Sequence, residues 1–374
     1  MAAKHSKRGT SFLPLEIIET ILLNLPAKSL LRFKTVSKSW NTMISDPAFV
    51  ENHLHRSKTS SSRNLLLGKL GFSHDNSEDY SLVKIDKDRK LRTLQLSEGP
   101  RGFNVVLSYC DGVLLLTNDR TTCMDFVLWN PSTGTRATFR FPYEVNTVSQ
   151  KIYGLCHDPR TGGLKVVVVV CSNYYTVYSC KNKSWTRKKE FGDTSFLVVY
   201  DPHVFVDGVF YLLSMDPGRY LITYFDPVDD EIKILRKPEI LADRLWIYMA
   251  DLKGRLCVYC NGNGDRGNAI RILIKGEGVG NNHWEELITM ANVPTDIWFF
   301  KPLCFVKNKI LIQLYGLRLV LYNPSEKTFE KFDIERSSVY CEYFPYLDSL
   351  IDPGAFFPAQ EKEEVVIEKL ISCS

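Results

Sequence analysis

No stretch of this sequence stays apolar for long. The longest unbroken run near mid-chain is Val166 to Cys171, far short of the roughly 18 to 20 residues that a spanning helix needs. The opening Met-Ala-Ala-Lys-His-Ser-Lys-Arg has no apolar core and no cleavage site, so no secretory leader is expected. An excess of one charge is missing too: 47 Lys and Arg stand against 43 Asp and Glu, a net +4 spread along the whole chain. A nucleic-acid binder usually gathers its positive charge into a stripe. The small basic clusters Lys4/Lys7/Arg8 and Arg187-Lys188-Lys189 read as a solvated tail and a solvated turn. The expectation is therefore no nucleic-acid partner, no membrane, and a place in the cytoplasm, the nucleus or both. There the sequon Asn182-Lys183-Ser184 would not meet the glycosylation machinery.

Catalytic signatures are equally scarce. G-x-S-x-G, H-E-x-x-H and Walker elements are absent, and the seven histidines lie near no nucleophile pattern. Ten cysteines in such a compartment read as reduced core residues. Cys257 and Cys260 have C-x-x-C spacing, but no second ligand pair follows. They also fall in a strand-like run, where positions three apart face opposite sides. Gly262-Asn-Gly-Asp-Arg-Gly267 satisfies G-x-G-x-x-G, yet the alternating Asn268–Ile274 behind it is a strand pattern. A dinucleotide site needs a helix there, so the glycines read as a hairpin loop. Asp229-Asp230-Glu231 occupies a turn and reads as solvated. No metal, no cofactor and no catalysis by the chain itself are expected.

Two kinds of pattern are present instead. From Pro14, a residue suited to a first helical turn, Leu15, Ile18, Ile21, Leu22 and Leu25 recur at three- and four-residue steps and give one apolar stripe. Pro26 ends that helix. A short piece with Leu30, Leu31 and Phe33 follows, then one with Val36, Trp40, Met43 and Ile44. Asp46-Pro47 caps and starts a last helix carrying Phe49, Val50 and Leu54. So small a module exceeds what it can hide from water by itself, so a partner or the rest of the chain must cover its excess apolar surface. The polar stretch 57–63 reads as a linker.

After it, short strand-like runs alternate with turn residues, and they repeat. Tyr109–Leu116, Val206–Leu213, Ala250–Val258 and Phe305–Ile312 each hold a strand, a Gly- or Asn-containing pair and a second strand. Leu128–Arg136, Tyr224–Ile232 and Leu321–Phe329 each turn at Asn/Asp-Pro. Corresponding turns recur about every 45 to 55 residues, the spacing of four-stranded propeller blades. One such sheet cannot bury both faces alone, so neighbours stack round an axis. About six units are expected, the first being the degenerate stretch 65–96. Val339–Leu350 is expected to return to an early blade and close the ring. A large β-sandwich is the structural alternative.

The run Leu13-Pro14-Leu15-Glu16-Ile17-Ile18 through Leu25-Pro26, with Val36-Ser-Lys-Ser-Trp40 and Ser45-Asp-Pro-Ala-Phe49, resembles an F-box. Ser108–Leu116, Leu128–Gly134 and Tyr153–Pro159 resemble the F-box-associated domain of plant F-box proteins, a kelch-like array. The resemblance implies a small all-α module, residues 10–56, then a large all-β domain, residues 64–352, a β-propeller of about six blades, with a tail over 353–374. It also implies a substrate-recognition subunit of an SCF-type E3 ubiquitin ligase, bound to a Skp-type adaptor and through it to cullin and RING subunits. Leu13, Pro14, Leu15, Ile18, Leu22, Pro26, Leu30 and Leu31 would face the adaptor. Val36, Trp40 and Ile44 would pack the module's own core, with Trp40 also reaching the adaptor. A target protein would meet variable loops on one rim, with Asn118, Arg120, Tyr174, Tyr175, Arg219, Tyr220, Asp265 and Arg266 as the candidate contacts. The rival reading is a propeller enzyme or small-ligand binder with an incidental helical cap, which predicts convergent carboxylates in a central pocket.

Overall fold

The computed structural model describes residues 13–59, 65–70, 80–85, 91–94, 99–103, 105–118, 125–143, 151–170, 174–190, 197–198, 203–216, 219–241, 247–260, 269–279, 281–291, 293, 300–314, 319–331 and 341–354. Four helices come first. Helix α1 (Leu15–Leu22) starts behind Pro14 and carries Glu16 in its first turn, where the helix dipole favours negative charge. Pro26 separates it from α2 (Ala27–Phe33). Helix α3 (Lys38–Ser45) is capped by Ser37, whose Oγ accepts the Trp40 N–H at 3.2 Å. Helix α4 (Pro47–Thr59) is capped by Asp46, whose Oδ1 accepts the Ala48 N–H at 2.8 Å.

Two expectations for this module change. Val36 belongs to the turn before α3, because the Ser37 cap starts the helix after it, and it is 61% exposed rather than packed inside. Helix α4 continues through Thr59, so the first three residues of the expected linker are helical. Residues 60–63 lie outside the described residues.

The strands form antiparallel sheets. The first holds β1 (Leu65–Leu70), β2 (Tyr80–Ile85) and β3 (Leu91–Leu94). The second holds β4 (Val105–Cys110), β5 (Val113–Thr117), β6 (Asp125–Trp129) and β7 (Arg136–Arg140). Next come β8 (Lys151–His157), β9 (Leu164–Val170) and β10 (Tyr174–Ser179), edged by β11 (Ser184–Trp185) and β12 (Lys189–Glu190). The fourth sheet contains β13 (Leu197–Val198), β14 (Val204–Val206), β15 (Val209–Asp216), β16 (Arg219–Asp226) and β17 (Glu231–Leu235). The fifth comprises β18 (Tyr248–Leu252), β19 (Arg255–Tyr259), β20 (Ile270–Lys275) and β21 (Trp284–Met290). The sixth comprises β22 (Phe300–Val306), β23 (Lys309–Leu314), β24 (Leu319–Asn323) and β25 (Thr328–Lys331). The last strand, β26 (Cys341–Pro345), pairs with β1 from Leu66↔Pro345 to Leu70↔Cys341. The returning segment thus joins the two ends of the all-β domain, as expected.

Two turn chemistries hold the sheets. Between first and second strands lie two-residue turns with positive φ, such as Asp111-Gly112 (46° and 85°), Asp207-Gly208 (50° and 79°) and Lys253-Gly254 (59° and 71°). That backbone matches the right-handed twist of a hairpin. At the proline turns the Asx side chain accepts the N–H two residues on: Asn130 from Ser132 at 2.9 Å, Asp226 from Val228 at 2.9 Å, Asn323 from Ser325 at 3.2 Å. Each turn closes on a positive φ, at Gly134, Asp230 and Lys327. Only one of these three is glycine, so the Asx hydrogen bond and the fixed proline φ carry much of the turn.

The core is built between sheets. Val113, Leu115, Phe126 and Leu128 pack with Tyr153, Val167, Val169 and Phe210. Cys257 belongs to one inter-sheet cluster and Cys260 to another, so the C-x-x-C pair faces opposite sides of its sheet. Neither thiol is in a disulfide. No helix among the described residues is long and apolar enough to cross a membrane.

Candidate functional site

Three surfaces bear on function, and each follows from where the helices sit on the sheets. The first is the outer face of the helical module. Leu22, Ala27, Leu30, Ile44 and Phe49 form its core together with Leu350 from beyond β26. Leu22 and Leu30, read from the sequence as adaptor-facing, are 1% and 0% exposed. They point inward because the stripe that closes a helical core takes the positions nearest its neighbours. Left outside are Leu13, Leu15, Ile17, Ile21 and Val36, at 57%, 61%, 46%, 50% and 61% exposure. Pro14 and Pro26 are exposed beside them, while Ile18, Leu31 and Trp40 are half-buried. Trp40 packs edge-to-face on Phe33 at 5.5 Å. So many exposed apolar side chains on one small module are the kind of surface that protein partners cover.

The second surface is the joint between module and sheets. Pro26 offers α2 no side-chain cap. Asp348 supplies one from across the molecule: its Oδ2 accepts the Ala27 N–H at 2.8 Å, while its Oδ1 accepts the Ser132 hydroxyl. Neighbouring Ser349 and Ile351 offer carbonyls to Asn130 Nδ2 at 3.1 and 2.7 Å, deep inside. At the far end of α4, Lys58 Nζ donates to Asp111 Oδ2 at 2.8 Å, and His157 Nε2 lies 2.6 Å from the same oxygen. Burial alone would raise the Asp111 pKa, yet the His157 hydrogen bond and charge, with Lys58 beside them, hold it below the usual carboxylate value.

Cys110, Asp111 and His157 are near enough together to offer three metal ligands. The cation that Asp111 holds is Lys58, and burial pushes the Cys110 thiol well above its usual pKa, against thiolate formation. The joint also roofs a cavity of about 800 Å³, lined by His55 and Lys58 of α4, the turns at Asp111, Asp207, Lys253 and Lys307, and Pro345–Leu347.

All those turns lie at one end of the sheets. Because neighbouring strands run antiparallel, the connections from second to third strand leave at the other end. Of the eight residues read as target contacts, Asn118 follows β5, Tyr174 and Tyr175 open β10, and Arg219 and Tyr220 open β16, all at that other end. That end is the rim away from the helical module. Asn118 is exposed there and Tyr174 half-exposed. Tyr175 and Tyr220, at 6% and 8% exposure, are core residues. The Tyr175 hydroxyl donates to the Asp230 carbonyl at 3.2 Å. Arg120, Asp265, Arg266 and the Arg219 side chain lie outside the described residues.

Two basic or acidic stretches read as solvated are engaged instead. Asp230 Oδ1 accepts from the buried Lys165 at 2.7 Å, an ion pair between adjacent sheets. Lys189 Nζ donates to the Asp230 carbonyl at 2.8 Å. Lys188 lies between two rings, 4.7 Å from the Tyr143 centroid and 4.3 Å from that of Tyr174. Lys188 stood out in the sequence only as part of a basic turn and Tyr143 not at all, because they follow strands of different sheets and meet only on folding.

Comparison with known proteins agrees with both halves. Residues 11–52 match the F-box domain and residues 59–352 match the F-box associated beta propeller domain. The F-box protein CPR1 of Arabidopsis thaliana is 26% identical, covering 86% of this chain and 84% of its own length. An F-box/kelch-repeat protein of the same plant is 25% identical over 91% of this chain and 96% of its own. Protein SUPPRESSOR OF NIM1 1, also from Arabidopsis thaliana, is 31% identical over 43% of this chain and 47% of its own. The chain belongs to the family of F-box proteins that carry an F-box associated beta propeller domain.

Proposed function

We propose that this chain is a substrate receptor of an SCF-type ubiquitin ligase. Its helices hold a Skp-type adaptor, which bridges to cullin and RING subunits, and the propeller captures a target protein on the rim away from them. The observation that carries this reading is the set of apolar side chains Leu13, Leu15, Ile17, Ile21 and Val36, left uncovered by a module that otherwise buries its core. The chain itself performs no bond chemistry on this account; it supplies proximity. The clamped joint supports the reading, because a receptor must present its target at a fixed distance from the transferring subunit.

The test is adaptor affinity for the full chain and for a Leu15→Glu/Ile21→Glu variant. Half-exposed leucine or isoleucine is worth roughly 1 kcal/mol when covered, and each new carboxylate must be desolvated as well. Affinity should fall at least about tenfold, or ~1.4 kcal/mol, with thermal stability held, since both positions are exposed. Equal affinity in wild type and variant would remove the proposed face.

A further inference from the structure

On the rim opposite the helices, two tyrosines make a cage that already contains a cation. Tyr143 and Tyr174 stand with ring centroids 6.3 Å apart and planes 75° to one another. The ammonium of Lys188 sits over both faces, at 4.7 and 4.3 Å, within the range of cation–π attraction. The walls are fixed from behind. The Tyr143 hydroxyl donates to the Thr186 carbonyl at 2.9 Å, and its ring packs edge-to-face on Phe141 at 5.5 Å. Tyr174 is held in the β10 ladder opposite Val170 and Glu190. The occupant is held differently: Lys188 is exposed and lies between the short strands β11 and β12. A rigid aromatic cage with a weakly tethered internal cation is a site that an external cation can enter by exchange.

We propose that the Tyr143–Tyr174 cage is a recognition site for a lysine ammonium, methylated or not, on a bound protein, and that Lys188 occupies it until that ligand arrives. The proposal rests on the receptor reading only for the identity of the ligand's carrier, a target protein. A cation of this kind carries its own specificity: ring faces attract charge that is weakly hydrated, so a trimethylammonium group should outcompete the strongly hydrated ammonium of Lys188. A lysine lodged there is shielded from ubiquitin transfer, so it serves recognition while other lysines serve as acceptors.

The experiment uses the full chain with tyrosine rings labelled for NMR, titrated with acetyl-trimethyllysine amide against sodium chloride of equal ionic strength. The Tyr143 and Tyr174 ring signals should shift saturably with the amide and not with salt. Lys188→Ala should bind the amide roughly fivefold tighter, the ~1 kcal/mol of one exposed cation–π contact no longer having to be displaced. Tyr174→Phe should keep binding, because the ring face acts, whereas Tyr174→Ala should lose it. Ring signals that stay still in both wild type and Lys188→Ala, or equal affinity in those two proteins, would overturn the cage. Adaptor affinity of the same samples separates the claims: loss of the adaptor with an intact cage overturns the receptor reading alone, and an adaptor-binding chain with a silent cage overturns this site alone.

Discussion

Asp111 shows how much one residue can do in this molecule. It is the positive-φ corner of a hairpin, it is buried, and it receives both Lys58 from the helical module and His157 from the next sheet. Removing one partner of a buried pair costs about 3–5 kcal/mol. Lys58 and His157 keep 31% and 26% of their side chains in solvent, so Asp111→Ala should cost less, about 2–3 kcal/mol, in denaturant unfolding. The pH dependence has a definite sign. The folded pKa of Asp111 is depressed, so its contribution is complete above the ordinary carboxylate range and fades as pH falls through the folded value. Asp111→Asn should therefore show a shallower loss of stability with acid below about pH 4, and an unchanged acid slope would contradict the pairing. The sequence displayed Asp111 only as a turn residue. Its charge partners lie in other elements, and no local pattern encodes them.

Elements were more legible than single side chains, for reasons of period and turn chemistry. Alternating runs between Asx-Pro and Gly-containing turns are local signals, and the strands at Tyr109–Leu116, Tyr224–Ile232 and Phe305–Ile312 follow them. The helical stripe was legible too, but not which of its residues face inward: Leu22 and Leu30 look as fit for a partner as Leu15 until Leu350 arrives to cover them. The same holds for close packing between sheets. A Cβ on Gly154 in β8 would lie 2.4 Å from the Phe210 ring of β15, a contact between neighbouring sheets that the sequence does not announce. Gly154→Ala should cost about 1–3 kcal/mol through overpacking, read by urea unfolding. Stability equal to wild type would mean that the two sheets stand further apart than that 2.4 Å approach implies.

At the scale of the whole molecule, closure and polarity organise everything else. The chain's last described strand returns to its first, and the segment just beyond it, through Asp348 and Leu350, completes the helical module. Composition and repeat spacing pointed to that ring and its closing segment. They could not show that the helices would be clamped over one end, nor that Tyr143, Tyr174 and Lys188 would assemble at the other, since both depend on how separate sheets meet. The two ends therefore divide the work: a module with a bare apolar face on one side, a rim of strand connections on the other. Hydrogen exchange of the full chain with and without a Skp-type adaptor tests that division most directly. The account predicts added protection across α1 and the Val36 turn, with the amides of Tyr174–Ser179 and Arg219–Asp226 unchanged. Protection confined to those strands, with α1 exchanging as before, would contradict it.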